Sequence, residues 1–164
     1  MKSLRVRAAY PLLALCMLAS WPQASWSQTS PASAASAQGA SITFIVEGLR
    51  FSGGSVRVDI CTPETFLKAE CPYSGAALAL KGTTMVTVEG VPPGTYAAQI
   101  YHDWNDNHRV DRQALGIPKE GLAFSNDAPL GLHGPSFKRA AFVHTDEPQS
   151  LTVKLHHFAK PPHE

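Results

Sequence analysis

The chain predicts an all-β domain: an antiparallel β-sandwich of about seven strands with one long irregular loop. Three observations carry this. Apolar and polar residues alternate over short runs, the period of strands that bury one face. Glycine and proline clusters punctuate those runs. Helical character is confined to one stretch, 62–70, where Pro63 stands at an early position of a turn.

The N-terminus reads as a targeting segment. Lys2, Arg5 and Arg7 precede an apolar run from Ala8 to Ser20, interrupted by Pro11. This is the layout of a secretory signal peptide spanning residues 1–27. Cleavage is expected before Gln28, behind the small residues Ser25 and Ser27, with the bond after Ala37 as the alternative. The apolar run is shorter than the ~20 residues a spanning helix needs. Leu15 stands before Cys16 where lipoprotein processing wants a small residue, so Cys16 reads as an ordinary member of the signal.

Residues 28–40 are rich in Ser and Ala and carry no charge, the composition of a disordered spacer. Residues 41–159 make one domain of ordinary size, and 160–164 form a tail. The 14 basic residues fall to 11 without Lys2, Arg5 and Arg7, against 13 acidic ones, a net charge of −2. No basic stripe remains, which argues against nucleic acid as a partner. Once the signal is removed no second apolar span is left, so no membrane association is expected. The destination is the periplasm or the medium.

Cysteine usage agrees with export. Cys61 and Cys71 are the pair left after cleavage, expected as a structural disulfide in an oxidising compartment. Their spacing is not that of a C-x-x-C redox motif, and no histidine lies between them.

The strands follow in order. Ile42, Phe44 and Val46 alternate with Thr43, Ile45 and Glu47. Val56, Val58 and Ile60 alternate with Arg57, Asp59 and Cys61; Val86 and Val88 flank Thr87; Leu151, Val153 and Leu155 alternate with Thr152, Lys154 and His156. Ser52-Gly53-Gly54 reads as a hairpin turn, and Lys81-Gly82 and Pro92-Pro93-Gly94 as further turns. After the last of these, Tyr96 is placed to bury its ring while its hydroxyl reaches backbone at the sandwich corner.

This Pro-Pro-Gly-x-Tyr corner resembles that of transthyretin-like and carboxypeptidase-regulatory-like modules, which implies a transthyretin- or immunoglobulin-like sandwich. The longer series is more specific. Tyr96 to Asp103 leads into an Asx-rich loop, followed by Leu115-Gly116-Ile117-Pro118, Phe124-Ser125-Asn126-Asp127, Gly134-Pro135-Ser136-Phe137 and Ala140-Ala141-Phe142. Over roughly residues 42–158 the chain resembles the exported bacterial family called domain of unknown function 2141. The resemblance implies a secreted or periplasmic β-sandwich and assigns no activity. The chain departs from the family pattern at His108, where glycine is expected.

The Asx loop is the leading candidate site. Asp103, Asn105, Asn107 and Asp111 stand at relative positions one, three, five and nine, a spacing that lets oxygen side chains surround a hard cation such as calcium. A carbonyl near Arg109 would add to the set, and the carboxylate of Asp106, Glu120 or Asp127 would complete it by folding back. Ala114 holds position twelve, where an EF-hand loop has its bidentate Glu, so affinity would be modest, ~10⁻⁴ to 10⁻³ M. The competing reading is a self-bonded loop in which Asp and Asn side chains hold backbone two residues on.

Catalysis finds less support. His102 is a further candidate site residue, with Asp103 as acid or base and Ser125 as nucleophile. Neighbours in a strand point to opposite faces, which separates His102 from Asp103, and likewise His156 from His157. No pair among His102, His108, His133, His144 and His156 has metal-ligand spacing. No nucleophile elbow, zinc-protease motif or phosphate-binding glycine loop is present. The sequence therefore reads as a non-enzymatic envelope module, binding or structural. Its partner would be an envelope protein or a small ligand. The 114–136 loop is expected to fold back as a covering flap because Leu122 and Phe124 need burial; the alternative is that it presents a surface for a small ligand or carbohydrate, which would make the protein a binding module.

Overall fold

A computed structural model of the chain describes residues 39–68, 70–130 and 134–160. The expected signal peptide, its cleavage sites and Cys16, nearly all of the spacer, His133 and residues 161–164 lie outside the described residues.

Eight strands are found among the described residues, in two sheets. One sheet holds β1 (Gly39–Leu49), β4 (Gly82–Gly90) and β8 (Gln149–Lys154) in the order β4-β1-β8. The other holds β2 (Ser55–Cys61), β3 (Tyr73–Leu78), β5 (Gly94–Asp103) and β6 (Leu122–Phe124) in the order β3-β2-β5-β6. A short β7 (Phe142–His144) pairs with the start of β5. The expected all-β sandwich is therefore observed. Its pairing is antiparallel except between β1 and β8, which run parallel.

The alternating runs become the inner faces of these sheets. Ile42, Phe44 and Val46 from β1 meet Val56, Val58 and Ile60 from β2, all with no exposed surface. Val86, Val88 and Val153 close the layer. Burying such side chains contributes about 1.5–3 kcal/mol each relative to exposure, the dominant favourable term for a sandwich of this size. Phe44 sits edge-on to Phe142 at 6.3 Å between ring centroids, tying β7 to the opposite sheet. The Tyr96 hydroxyl donates to the Pro92 carbonyl at 3.1 Å, the corner contact the sequence predicts.

Three expectations change. Ser52-Gly53-Gly54 is not a hairpin turn: β1 and β2 lie in different sheets, so the segment crosses between layers. Gly54 is required there because a Cβ would overlap the backbone of Asp103 and Trp104. The 62–70 stretch forms hydrogen-bonded turns from Thr62 to Phe66, while the one short α-helix among the described residues, α1, is Phe137–Ala140. Within the 114–136 loop, residues 122–124 are not irregular; they form β6 on the edge of β5, with Leu122, Ala123 and Phe124 all buried.

Cys61 and Cys71 form a disulfide between the end of β2 and the segment before β3. No helix among the described residues is long and apolar enough to cross a membrane.

Candidate functional site

The five-stranded sheet turns one face to the core, and the other face carries a concave feature. Strand register places Arg57 opposite Tyr101, Asp59 opposite Gln99, Gln99 opposite Phe124 and Tyr101 opposite Leu122. Paired residues share a face, so β2, β5 and β6 together lay out a floor that is polar on one side and apolar on the other. Two loops rise over it. One is Leu67–Lys68, anchored where Gln99 Nε2 donates to the Lys68 carbonyl at 3.1 Å. The other runs from His108 to Pro118 and is held by the Arg112–Pro118 bridge. The space between them is a cavity of about 830 Å³, with Leu130, Pro135 and Phe158 closing its far side. Cavities of roughly 300–1,000 Å³ are the usual size for small organic ligands.

The floor is electrostatically tuned. Burial pushes the Asp59 carboxyl above its ordinary value, opposed by a hydrogen bond from Gln99 and by the Arg57 charge. Burial also raises the Tyr101 hydroxyl, with the Asp59 charge acting in the same direction. Three cationic side chains line the cavity, Lys68, Arg109 and Arg112, against one carboxylate, Asp59. Arg112 is fixed by a 2.9 Å bond from its guanidinium to the Gly116 carbonyl, while Arg109 meets Asp111 at 3.5 Å.

The Asx loop, from Asp103 to Asp111, continues into the His108–Pro118 wall. Asp103 is wholly buried, and its two oxygens accept the backbone N–H groups of Asn107 at 3.0 Å and His108 at 2.8 Å. Asn107 Oδ1 accepts the Arg109 N–H at 3.1 Å, and Asn105 Nδ2 donates to Asp111 at 3.0 Å. His108 takes a φ of +63°, the left-handed conformation that glycine adopts more readily. Glu120 is brought to this loop, its Oε2 accepting the Asp111 N–H at 3.3 Å, while its Oε1 is buried without a hydrogen bond. Burial, reinforced by the Asp103 and Asp111 charges, pushes the Glu120 carboxyl up to about 7. Asp127 is not part of this group; it accepts the Lys154 N–H at 3.1 Å and so holds β8. As the side chains lie, no three His, Cys, Asp or Glu residues among the described ones are grouped as metal ligands.

The hydrolase candidates are separated. His102 points inward, stacks on Phe51 and bonds the Gly53 carbonyl at 2.8 Å, so it secures the crossover rather than the loop that follows it. Ser125 is buried and accepts the N–H of Ala98, four residues back along β5 from His102, at 2.8 Å; it donates to the Ala140 carbonyl at 2.6 Å. His144 and His157 likewise bond carbonyls, of Val91 and Gly48. At the sequence level no binding role falls to the cavity residues Asp59, Lys68, Gln99 and Tyr101. The usable signal is Asp59 and Gln99, polar residues paired on the outer face of β2 and β5.

Fold and site together define a compact β-sandwich with a concave site on the outer face of one sheet. The family model described as "Uncharacterized protein conserved in bacteria (DUF2141)" matches residues 45–152, and the chain belongs to that family. No curated protein and no solved structure matches it.

Proposed function

We propose that this protein is an exported, non-catalytic module of the bacterial envelope that binds a small organic ligand on the outer face of its five-stranded sheet. The observation that carries this reading is the 830 Å³ cavity. It combines an apolar wall with a few convergent polar groups, the composition of ligand sites in general. The disulfide and the signal-like N-terminus support export.

The test is fluorescence titration of the oxidised protein with N-phenyl-1-naphthylamine, a neutral apolar dye. One saturable site per chain is expected, weakened at least tenfold by Ile117→Asp, which sets a charge in the apolar wall. Absence of saturable enhancement, or identical binding by the variant, contradicts the reading.

A second reading concerns the Asx loop, and Glu120 favours it. Two buried carboxylates, Asp103 and Glu120, approach each other with no cationic partner on either among the described residues. Calcium on Asp103, Asn105, Asn107, Asp111 and Glu120 would neutralise them once Asn105 releases Asp111. Under this reading millimolar calcium raises the thermal midpoint above that in chelator, and Asp111→Asn abolishes the rise. An unchanged midpoint identifies the loop as a self-bonded Asx turn.

A further inference from the structure

The cavity's charges identify the class of ligand it takes, an inference that rests on the binding reading above. We propose that the occupant is an organic anion: a compact apolar body carrying one acidic group, with the body on Leu122 and Phe124 and the acidic group toward Lys68 and Arg112.

The geometry supplies both halves. Leu122 and Phe124 stand side by side on β6 at the cavity floor, and Ile117 and Leu67 face the same space from the two loops. These surfaces suit a flat or branched hydrocarbon body. The charged groups are not balanced: three cations line the cavity against one carboxylate. That carboxylate, Asp59, already has local partners in Gln99 and Arg57. Arg109 is engaged with Asp111 at the rim. Arg112 is held to Gly116 by one guanidinium nitrogen, a contact with a carbonyl that leaves its charge uncompensated. Lys68 forms no salt bridge among the described residues, although it lies within Coulombic range of the exposed Glu64. An excess of positive charge above an apolar floor favours an anion through charge complementarity, and a guanidinium in particular favours a carboxylate. A cationic ligand would meet this excess as repulsion, and a neutral one would gain nothing from it.

The experiment is isothermal titration of the oxidised full chain with three ligands of one body: 1-naphthoate, neutral 1-naphthamide and cationic 1-naphthylmethylamine. The expected order is 1-naphthoate at least tenfold tighter than 1-naphthamide, with the amine weakest. Raising the salt should narrow the first gap, because exposed charges are screened. In the double variant Arg112→Gln with Lys68→Gln, 1-naphthoate should fall to the level of 1-naphthamide while 1-naphthamide binding is retained, which shows that the cavity persists. If 1-naphthamide or the amine binds the native protein as tightly as 1-naphthoate, the anion class is overturned and the binding reading stands. If the variant keeps the preference for 1-naphthoate, the assignment to Lys68 and Arg112 is overturned. If none of the three binds, both readings fall.

Discussion

Individual residues show where chemistry departs from simple packing. His108 occupies a left-handed position in a loop whose amides are gathered by Asp103. A β-carbon there costs on the order of 1 kcal/mol, so His108→Gly should stabilise the protein by up to that amount, measured as the urea midpoint. Glu120 gives a pH signature. Its carboxyl is raised from 4.5 to about 7, so the folded state holds the proton more tightly than the unfolded state. The sign follows: stability is highest below the unfolded value and declines as pH rises from about 4.5 through about 7. Asp103 and Asp111 face this group from the end of β5 and the loop, and His102, Lys119 and His157 border a water-sized cavity of about 10 Å³ beside it. Asp59 is also raised and adds a decline of the same sign, so the informative quantity is the difference from Glu120→Gln. In chelator, the thermal midpoint of Glu120→Gln should fall less between pH 5 and pH 8 than that of the native protein. Parallel curves would show that Glu120 is not the responsible group.

Among the elements, strands that alternate bulky apolar with polar residues were legible in the sequence. β1, β2, β4 and β8 follow the alternation of Ile42-Phe44-Val46, Val56-Val58-Ile60, Val86-Val88 and Leu151-Val153. β3 escaped because two of its three inner positions, Gly75 and Ala77, are small: a Cβ on Gly75 would stand 2.8 Å from the Thr87 carbonyl oxygen, so the close approach of β4 forbids bulk there. β6 escaped because all three of its residues are buried, which erases alternation. The parallel pairing of β1 with β8 depends on connections that no local pattern records. The disulfide was legible from counting alone, and it fastens the turn that carries Leu67 and Lys68 to β2. Its loop is short, so Cys61→Ser with Cys71→Ser should cost about 2–3 kcal/mol, read as a lower midpoint in denaturant. An unchanged midpoint would mean that the turn is held by its own hydrogen bonds from Thr62 and Thr65.

At the scale of the whole molecule, the Asx loop was legible and the cavity was not. The loop is one contiguous run, so residue spacing singled out Asp103, Asn105, Asn107 and Asp111; hydrogen bonds join Asp103 to Asn107 and Asn105 to Asp111. The cavity draws on β2, β5, β6, two loops and Phe158, segments up to about a hundred residues apart that meet only through the fold. What the sequence did convey was that the 114–136 stretch folds back over the sandwich, and that stretch supplies Ile117, Leu122, Phe124 and Leu130 to the cavity. The central claim is that this cavity takes a small organic ligand. Two-dimensional amide NMR of the isotopically labelled, oxidised protein with saturating 1-naphthoate tests it most directly. The account predicts that shifted resonances cluster on Asp59, Gln99, Tyr101, Leu122, Phe124 and the 108–118 loop, with β1, β4 and β8 unmoved. Shifts confined to the three-stranded sheet, or no shifts at saturating ligand, would contradict it.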